Sequence, residues 1–219
     1  MTDALLAGAT GLIGHEIAAQ WAGPGDLHLL VRRAVAAPAA PAAPAKALRV
    51  HVVDFSSLPA LPACDAAFCC RGTTIKVAGS QAAFRAVDFD AVLAYARAAH
   101  AAGASRFAVV SSLGASARSG NFYSRVKGEM EEALRAVGFA SLVIVRPSLL
   151  TGDRSAVGHA ARGAERLAQA LAAPLAMLIP NAWRPIAAAT VARAMLRAVA
   201  EPRPGIRIIE SGELQSLGR

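Results

Sequence analysis

Three glycines near the start of the chain restrict its possible folds more than any other feature. Gly8, Gly11 and Gly14 follow a short apolar run and open a helical pattern that begins at Leu12. Glycine at the first position permits a tight turn. At the second it lets the backbone approach a bound group, and at the third it allows close packing of helix on strand. The spacing therefore predicts a strand–turn–helix unit of an α/β sheet.

The rest of the chain alternates between short apolar runs and helical patterns. Apolar runs without polar alternation are typical of parallel strands covered on both faces. Strands are predicted at 3–7, 27–31, 48–53, 66–70, 107–111, 142–145 and 206–210, and helices at 12–21, 81–102, 123–137, 159–178 and 188–200. Gly103 and Gly138 are expected to end two helices in the left-handed conformation. This order predicts an α/β fold, a Rossmann-like doubly wound parallel sheet.

Two segments depart from this alternation. Residues 34–47 form an Ala/Pro tract whose three prolines exclude a regular crossover helix, so an extended connection is predicted there. Residues 148–188 are expected to form most of a small C-terminal substrate lobe over the carboxyl ends of the strands. With this lobe included, residues 1–219 are predicted to form a single domain.

The composition argues against several classes of partner. The net charge is +8, but basic residues are not interleaved with aromatics, which make up 5% of the chain, so no nucleic-acid partner is expected. The most apolar stretch, 170–180, is too short to span a bilayer, so no membrane partner is expected either. The five histidines and three cysteines lack ligand spacing, which predicts no metal site. Adjacent Cys69 and Cys70, with no visible targeting peptide, predict a cytoplasmic location.

The glycine turn is also a candidate binding site. The first N–H groups of a helix and its dipole favour a pyrophosphate, so a dinucleotide cofactor is predicted. The candidate contacts are Gly8, Thr10, Gly11, Leu12, Ile13 and Gly14. Arg32 and Arg33 end the second strand, where an NAD site usually carries an acidic residue. Because guanidinium groups bind a 2′-phosphate that an acid would repel, NADP(H) is favoured.

Two further strand ends complete the predicted cofactor groove. Asp54 follows the third strand, where its carboxylate could accept a hydrogen bond from an adenine amino group. Arg71, Gly72 and Thr73 follow the fourth strand, and Gly72 would allow close approach of the cofactor. Each segment taken alone is equally consistent with an ordinary turn.

A serine pair and a tyrosine–lysine pair predict the chemistry. Ser111 and Ser112 end the fifth strand, and Tyr123 and Lys127 lie one helical turn apart on one face of the next helix. A free phenol titrates at about pH 10, and a nearby ammonium stabilises its phenolate form. Tyr123 could then exchange a proton with a substrate oxygen that Ser112 or Ser111 also contacts. The sequence leaves open which serine is catalytic.

Together these motifs resemble a short-chain dehydrogenase/reductase of the atypical branch, and within it the HIV-Tat-interacting-protein-like oxidoreductases. The resemblance is carried by GATGLIG at 8–14, LLVRR at 29–33, VDF at 53–55, CCRGTT at 69–74, VVSSLGA at 109–115, NFYSRVKGEMEE at 121–132 and RPSLL at 146–150. It implies an NADP(H)-binding Rossmann fold, with cofactor contacts that include the arginine pair, Tyr123, Lys127 and Leu150.

The chain departs from the family pattern in three places. The Ala/Pro tract replaces an intact second-strand connection, and the polar string expected after the RP motif is degraded at 152–158. The helix asparagine that completes a proton relay in well-studied short-chain dehydrogenases is absent, because Asn121 and Asn181 are the only asparagines. Contacts by 152–158 to cofactor or substrate are therefore left open.

The function that follows is an NADPH-dependent oxidoreductase acting on a small carbonyl or conjugated substrate. Tyr123 would be the general acid and base, Lys127 would hold the ribose, and a serine would orient the substrate. An NADP(H)-sensing binding protein without useful turnover is one alternative, and a sugar-nucleotide epimerase or dehydratase is another. The intact Ser/Tyr/Lys set favours the reductase. Substrate identity, reaction direction and the choice between monomer and homodimer stay open.

Overall fold

The computed structural model describes residues 3–34, 47–152, 180 and 183–218. The strands in these ranges are β1 (Ala4–Ala7), β2 (Leu27–Val31), β3 (Leu48–Val52), β4 (Ala66–Cys69), β5 (Arg106–Val110), β6 (Ser141–Arg146), β7 (Leu150–Thr151), β8 (Ile186–Ala187) and β9 (Gly205–Glu210). The helices are α1 (Leu12–Ala19), α2 (Ile75–Ala78), α3 (Gln81–Arg85), α4 (Ala91–Ala101), α5 (Phe122–Arg135), α6 (Ala188–Ala200) and α7 (Ser211–Leu217). A π-helical turn at Ala86–Asp90 joins α3 to α4.

Seven of these strands form one sheet in the order β3-β2-β1-β4-β5-β6-β9, and every pairing in it is parallel. The chain runs outward from β1 through β2 to β3 and then returns to place β4 on the other side of β1. The strand order therefore reverses between β1 and β4, which is where open α/β sheets bind ligands. The predicted Rossmann-like sheet is confirmed.

The sheet is covered by helices on both faces, which explains its uniformly apolar strands. All four residues of β1 are buried, and they alternate between two apolar clusters. Leu6 belongs to the cluster formed with α1 and α6, and Leu5 to the cluster formed with α4 and α5. Burial of one such leucine side chain contributes about 1.5–3 kcal/mol, so this central strand holds the two layers together.

The predicted elements agree with the structure to within two residues at most ends. The predicted helix at 81–102 is instead the α3–π–α4 series, and α2, α7, β7 and β8 were not predicted. Gly103 and Gly138 have φ angles of 103° and 98°, in the left-handed region that was expected of them.

Some predictions fall outside the described residues. These are the helix at 159–178, all but the two end residues of the Ala/Pro tract, and most of the lobe at 148–188. The described part of that lobe includes a two-stranded parallel pair of β7 with β8. Within the described ranges, no helix is long and apolar enough to cross a membrane, and no cluster of side chains could hold a metal ion.

Candidate functional site

The glycine turn packs tightly between β1, β4 and α1. Gly8 has a φ of +91°, and a Cβ atom on it would lie 2.6 Å from the carbonyl carbon of Cys70. A Cβ on Gly14 would lie 2.1 Å from the Gly8 carbonyl oxygen. A Cβ on Gly11 would meet nothing closer than 3.4 Å. The first and third glycines are therefore required by packing, while Gly11 leaves its side of the turn open to a ligand.

The start of α1 is suited to an anion. Gly11 is the N-cap, no side chain caps the helix there, and its first turn carries no acidic residue. The N–H groups of a first helical turn lack intrahelical partners, and the helix dipole makes this end positive. Thr10 is exposed beside the turn, and Leu12 is half-buried. The Ile13 side chain lies in the core, so only its backbone is available to a ligand.

Gly152, which directly follows β7, lies beside this helix start. A Cβ on Gly152 would lie 3.3 Å from Leu12 Cδ2, and Leu150 packs against the same apolar cluster as Leu12. The structure therefore places Leu150 on the α1 side of the sheet, and its contact with the cofactor stays a prediction.

Three arginines lie at the strand ends beside the glycine turn. Arg32 and Arg33 follow β2 directly and are exposed. The Arg71 guanidinium carbon lies 3.7 Å above the Phe55 ring, and Arg71 Nε is buried without a hydrogen-bond partner in the described part of the chain. Burial lowers the pKa of Arg71, and the charge of Arg32 lowers it further. The ends of β2 and β4 thus place positive charges near each other, and an anion would neutralise them.

Asp54 is exposed after β3 and is engaged by its own turn. Its Oδ1 accepts a hydrogen bond from the Ser56 N–H at 2.8 Å. This bond lowers the pKa of Asp54, which therefore carries a negative charge at neutral pH. The structure places the carboxylate at the predicted strand end and gives it a local capping contact.

Helix α5 presents Tyr123 and Lys127 from its first two turns. The Asn121 side chain caps the helix by accepting the Ser124 N–H at 3.1 Å. Tyr123 is half-buried, and Lys127 is only 3% exposed. A Cβ on Gly128 would lie 2.1 Å from backbone atoms of the loop after β5. The glycine after the lysine therefore lets α5 pack directly on the loop that follows the two serines.

Lys127 forms a buried ion pair with Asp88 of the π-helical turn. Lys127 Nζ lies 2.8 Å from Asp88 Oδ1, and Asp88 Oδ2 accepts the Thr73 N–H at 2.9 Å. Burial lowers the pKa of Lys127, but Asp88 and then Tyr123 raise it, and the net shift is upward. Lys127 is therefore an ammonium at neutral pH although it is almost completely buried.

The two serines have different surroundings. Ser111 is buried, and its Oγ donates a hydrogen bond to Glu131 Oε1 at 2.5 Å. Glu131 in turn accepts two hydrogen bonds from Arg146, at 3.0 and 2.6 Å. Ser112 is half-buried, and its Oγ is shielded from solvent with no hydrogen-bond partner among the residues described. Of the two hydroxyls, the Ser112 hydroxyl is the one left available to a substrate.

Sequence reasoning missed Asp88 and the Glu131–Arg146 pair. A signal for Asp88 was present, because it lies four residues from both Phe84 and Val92 in an otherwise apolar helix face. A charged residue at such a position has to be paired. The same rule applies to Glu131, four residues after Lys127.

Comparison with known proteins agrees with this geometry. Residues 8–202 match the family described as NAD(P)H-binding. Protein HTATIP2 of Rattus norvegicus is 36% identical over 176 residues, which are 77% of this chain and 69% of that protein. Protein FMP52-1, mitochondrial, of Scheffersomyces stipitis is 42% identical over 38% of this chain and 37% of that protein. Protein fmp52, mitochondrial, of Emericella nidulans is 40% identical over 48% of this chain and 43% of that protein. The match to these two fungal relatives thus spans less than half of their length.

Solved structures share the fold at low sequence identity. MoeE5 in complex with UDP-glucose and NAD has a TM-score of 0.70 at 17% identity, covering 99% of this chain and 80% of that one. A UDP-N-acetylglucosamine 4-epimerase from Methanobrevibacter ruminantium has a TM-score of 0.69 at 15% identity, covering 96% of this chain and 77% of that one. These likenesses show the fold alone.

The comparisons correct one expectation and establish the family. The expected cytoplasmic location is wrong, because the fungal relatives are named as mitochondrial proteins. The family match covers residues 8–202, which include both the glycine turn and α5, and the match to the rat relative covers 77% of the chain. The chain belongs to the NAD(P)H-binding family, as an atypical short-chain dehydrogenase/reductase related to HTATIP2.

Proposed function

We propose that the chain is an NADPH-dependent oxidoreductase that transfers hydride to a small carbonyl or conjugated substrate. The main support is the arrangement around α5. Lys127 is held as a buried ammonium one helical turn after Tyr123, and the Ser112 hydroxyl at the end of the adjacent strand has no partner among the described residues. Such a set can give a proton to a substrate oxygen and take it back.

Each side chain has a distinct role in the proposed reaction. When bound, the nicotinamide supplies the hydride, which no side chain of this chain can provide. Tyr123 gives its phenolic proton to the substrate oxygen as the carbonyl is reduced. The Lys127 ammonium stabilises the phenolate that Tyr123 becomes, and Ser112 donates a hydrogen bond to the same substrate oxygen.

The cofactor preference is proposed from the three arginines. Arg32 and Arg33 are exposed at the end of β2, and Arg71 reaches the same region from the end of β4. A 2′-phosphate on the adenosine ribose would neutralise this positive charge through charge-assisted hydrogen bonds, each contributing about 1.5–3 kcal/mol. NADH lacks that phosphate, so NADPH is the preferred cofactor in this proposal.

The described part of the substrate lobe supports an apolar substrate. Leu149 and Trp183 are 67% and 66% exposed, although both are large apolar side chains. They flank the β7–β8 pair, where the Ile186 N–H donates to the Leu149 carbonyl at 2.9 Å. Exposed apolar side chains at one end of a parallel sheet suit a small, mostly apolar carbonyl compound.

A screen of NADPH oxidation against aldehydes, ketones and quinones tests the proposal. Tyr123→Phe should lower kcat by about 10²–10⁴-fold while leaving NADPH affinity nearly unchanged, because it removes only the hydroxyl that transfers the proton. The chain has two tyrosines, so Tyr95→Phe is a matched control. Tyr95 lies on α4 with its side chain buried in the core, and its substitution should leave kcat within about twofold of wild type.

Three results would contradict the proposal. A substrate reduced equally well by the wild type and by Tyr123→Phe would refute the assigned proton transfer. Tight NADPH binding without oxidation by any substrate class would instead support the cofactor-sensing alternative. Interconversion of UDP-sugar epimers without net NADPH consumption would support an epimerase.

A further inference from the structure

The buried carboxylate of Asp88 has a role that the sequence motifs do not assign. We propose that Asp88 is a positioning residue of the cofactor site, whose carboxylate joins the Lys127 ammonium to the loop after β4. Asparagine cannot replace it. The inference rests on the proposed contact between Lys127 and the cofactor, and it adds a residue on which that contact depends.

The two partners of Asp88, an ion-pair partner and a hydrogen-bond partner, explain why the residue has to be a carboxylate. Asp88 is 0% exposed, its Oδ1 lies 2.8 Å from Lys127 Nζ, and its Oδ2 accepts the Thr73 N–H at 2.9 Å. Both partners are donors, and a carboxylate offers an acceptor to each of them. An asparagine has one acceptor oxygen and one NH₂ group, so it would oppose a donor to a donor at one of the two positions.

The π-helical turn at Ala86–Asp90 contains Asp88 and interrupts the helix just opposite α5. Such turns are often found at functional sites. Two contacts join the α3–π–α4 series to α5, and they lie four residues apart along both elements. The rings of Phe84 and Tyr123 lie 5.2 Å apart, and the next contact along is the ion pair of Asp88 with Lys127. The carboxylate therefore supports the lysine one helical turn below the candidate catalytic phenol.

Stability alone does not account for the ion pair. Removing two charges from water offsets most of their attraction, and apolar replacements of buried pairs are often equally stable or more so. The pair also lies directly beneath the groove at the end of β4. A Cβ on Gly72 would lie 3.3 Å from Asp88 Oδ1 and 3.7 Å from Lys127 Nζ. The exposed backbone of Gly72 therefore lies over the pair, at the point where a bound cofactor is expected to pass.

The electrostatic surroundings of Lys127 make its charge dependent on Asp88. The groups that face it are Asp88 from the π-helical turn, Tyr123 from its own helix and Cys69 from β4. Burial raises the pKa of Cys69 to about 11, so that thiol is neutral at neutral pH. Burial favours a neutral Lys127, and Asp88 is the main group that opposes this effect. Without the carboxylate, the lysine should lose its proton at a lower pH.

Fluorescence titration of NADPH onto Asp88→Asn tests the proposal, with Asp90→Asn as the matched control. Asp90 lies in the same π-helical turn but is exposed. We expect Asp88→Asn to weaken NADPH binding about tenfold near pH 7, and about tenfold more near pH 9.5 as Lys127 loses its proton. Asp90→Asn should follow the wild type at both pH values.

A double variant covers the case in which Asp88→Asn is too unstable to assay. Asp88→Asn with Lys127→Met removes both charges of the buried pair, so this double variant should fold and melt at a higher temperature than Asp88→Asn alone. It should bind NADPH weakly, with no further loss of affinity near pH 9.5. A single variant whose NADPH affinity varies with pH as in the wild type would overturn the proposal, even if its melting temperature were lower. Failure of the double variant to fold would also overturn it.

These measurements are independent of catalysis. NADPH affinity can be titrated whether or not a substrate is turned over. If the proton transfer assigned to Tyr123 were refuted, the Asp88 experiment would therefore still be informative. Conversely, if the NADPH affinity of Asp88→Asn varied with pH as in the wild type, the Asp88 proposal would be refuted and the oxidoreductase proposal would not.

Discussion

Arg146 at the end of β6 should be one of the arginines on which folding depends most. Its Nε and Nη2 atoms donate to the two carboxylate oxygens of Glu131 at 3.0 and 2.6 Å, and its Nη1 donates to Glu210 at 2.9 Å. The Glu131 side chain is 3% exposed and also accepts the Ser111 hydroxyl. Arg146→Met would leave a buried carboxylate with a single neutral donor, at the base of the helix that bears Tyr123.

The size of the effect follows from burial. Removing one partner of a buried ion pair costs about 3–5 kcal/mol. For a chain of 219 residues, each kcal/mol lowers the melting temperature by about 2–4 °C, so we expect a fall of about 6–20 °C. Arg85→Met is the matched control, because Arg85 pairs with Glu129 through side chains that are 41% and 31% exposed. Exposed pairs contribute about 0–1 kcal/mol, which gives a fall below about 4 °C.

Thermal melting of the cofactor-free variants at one pH measures both effects, and urea unfolding provides the free energies. The melting temperature of Arg146→Lys should lie between those of the wild type and Arg146→Met, because lysine keeps the charge but loses the bidentate contact with Glu131. Glu131→Met combined with Arg146→Met should recover part of the loss, since neither buried charge remains. If Arg146→Met melts within about 2 °C of Arg85→Met, the buried network does not stabilise the fold as argued.

Two further predictions concern the cofactor and the acid side of the stability curve. The double variant Arg32→Ala/Arg33→Ala should weaken NADPH binding in calorimetry by at least about tenfold and leave NADH affinity unchanged. The control Arg97→Ala, on the exposed side of α4, should not weaken NADPH binding. Equal affinity of the wild type for both cofactors would contradict this prediction. Burial lowers the pKa of His51, so the unfolded chain binds its proton more readily and stability falls as the pH drops through about 6.5. His51→Gln should flatten that decline in urea unfolding between about pH 7 and 5, whereas His100→Gln at an exposed site should not.

The sequence predicted the features that depend on local geometry. Gly8 and Gly14 are required where a Cβ would overlap the neighbouring backbone, and that requirement is visible as spacing alone. The strands were found because both of their faces are covered, which leaves uninterrupted apolar runs. The order of the strands in the sheet, by contrast, was not predicted from the sequence.

Contacts between distant segments were harder to predict. Asp88 and Lys127 are 39 residues apart, and Asp88 lies in a π-helical turn that is in contact with α5. The choice between the two serines also depended on the face of the sheet toward which each side chain points. Ser111 continues the alternation of Phe107 and Val109, which face α4 and α5, and so it reaches Glu131. That assignment needed knowledge of which helices cover each face of the sheet.

Helix α5 combines these contacts along one face. Tyr123, Lys127 and Glu131 are spaced four residues apart, so they line one side of the helix. Each has a partner on a different element: the Phe84 ring on α3, the Asp88 carboxylate on the π-helical turn, and Arg146 on β6. A polar row on the buried side of a helix is costly for folding alone, because each charge has to be desolvated and paired. The row is explained if its two paired charges, Lys127 and Glu131, hold the helix in place. Tyr123, at the other end of the row, is then free to exchange a proton.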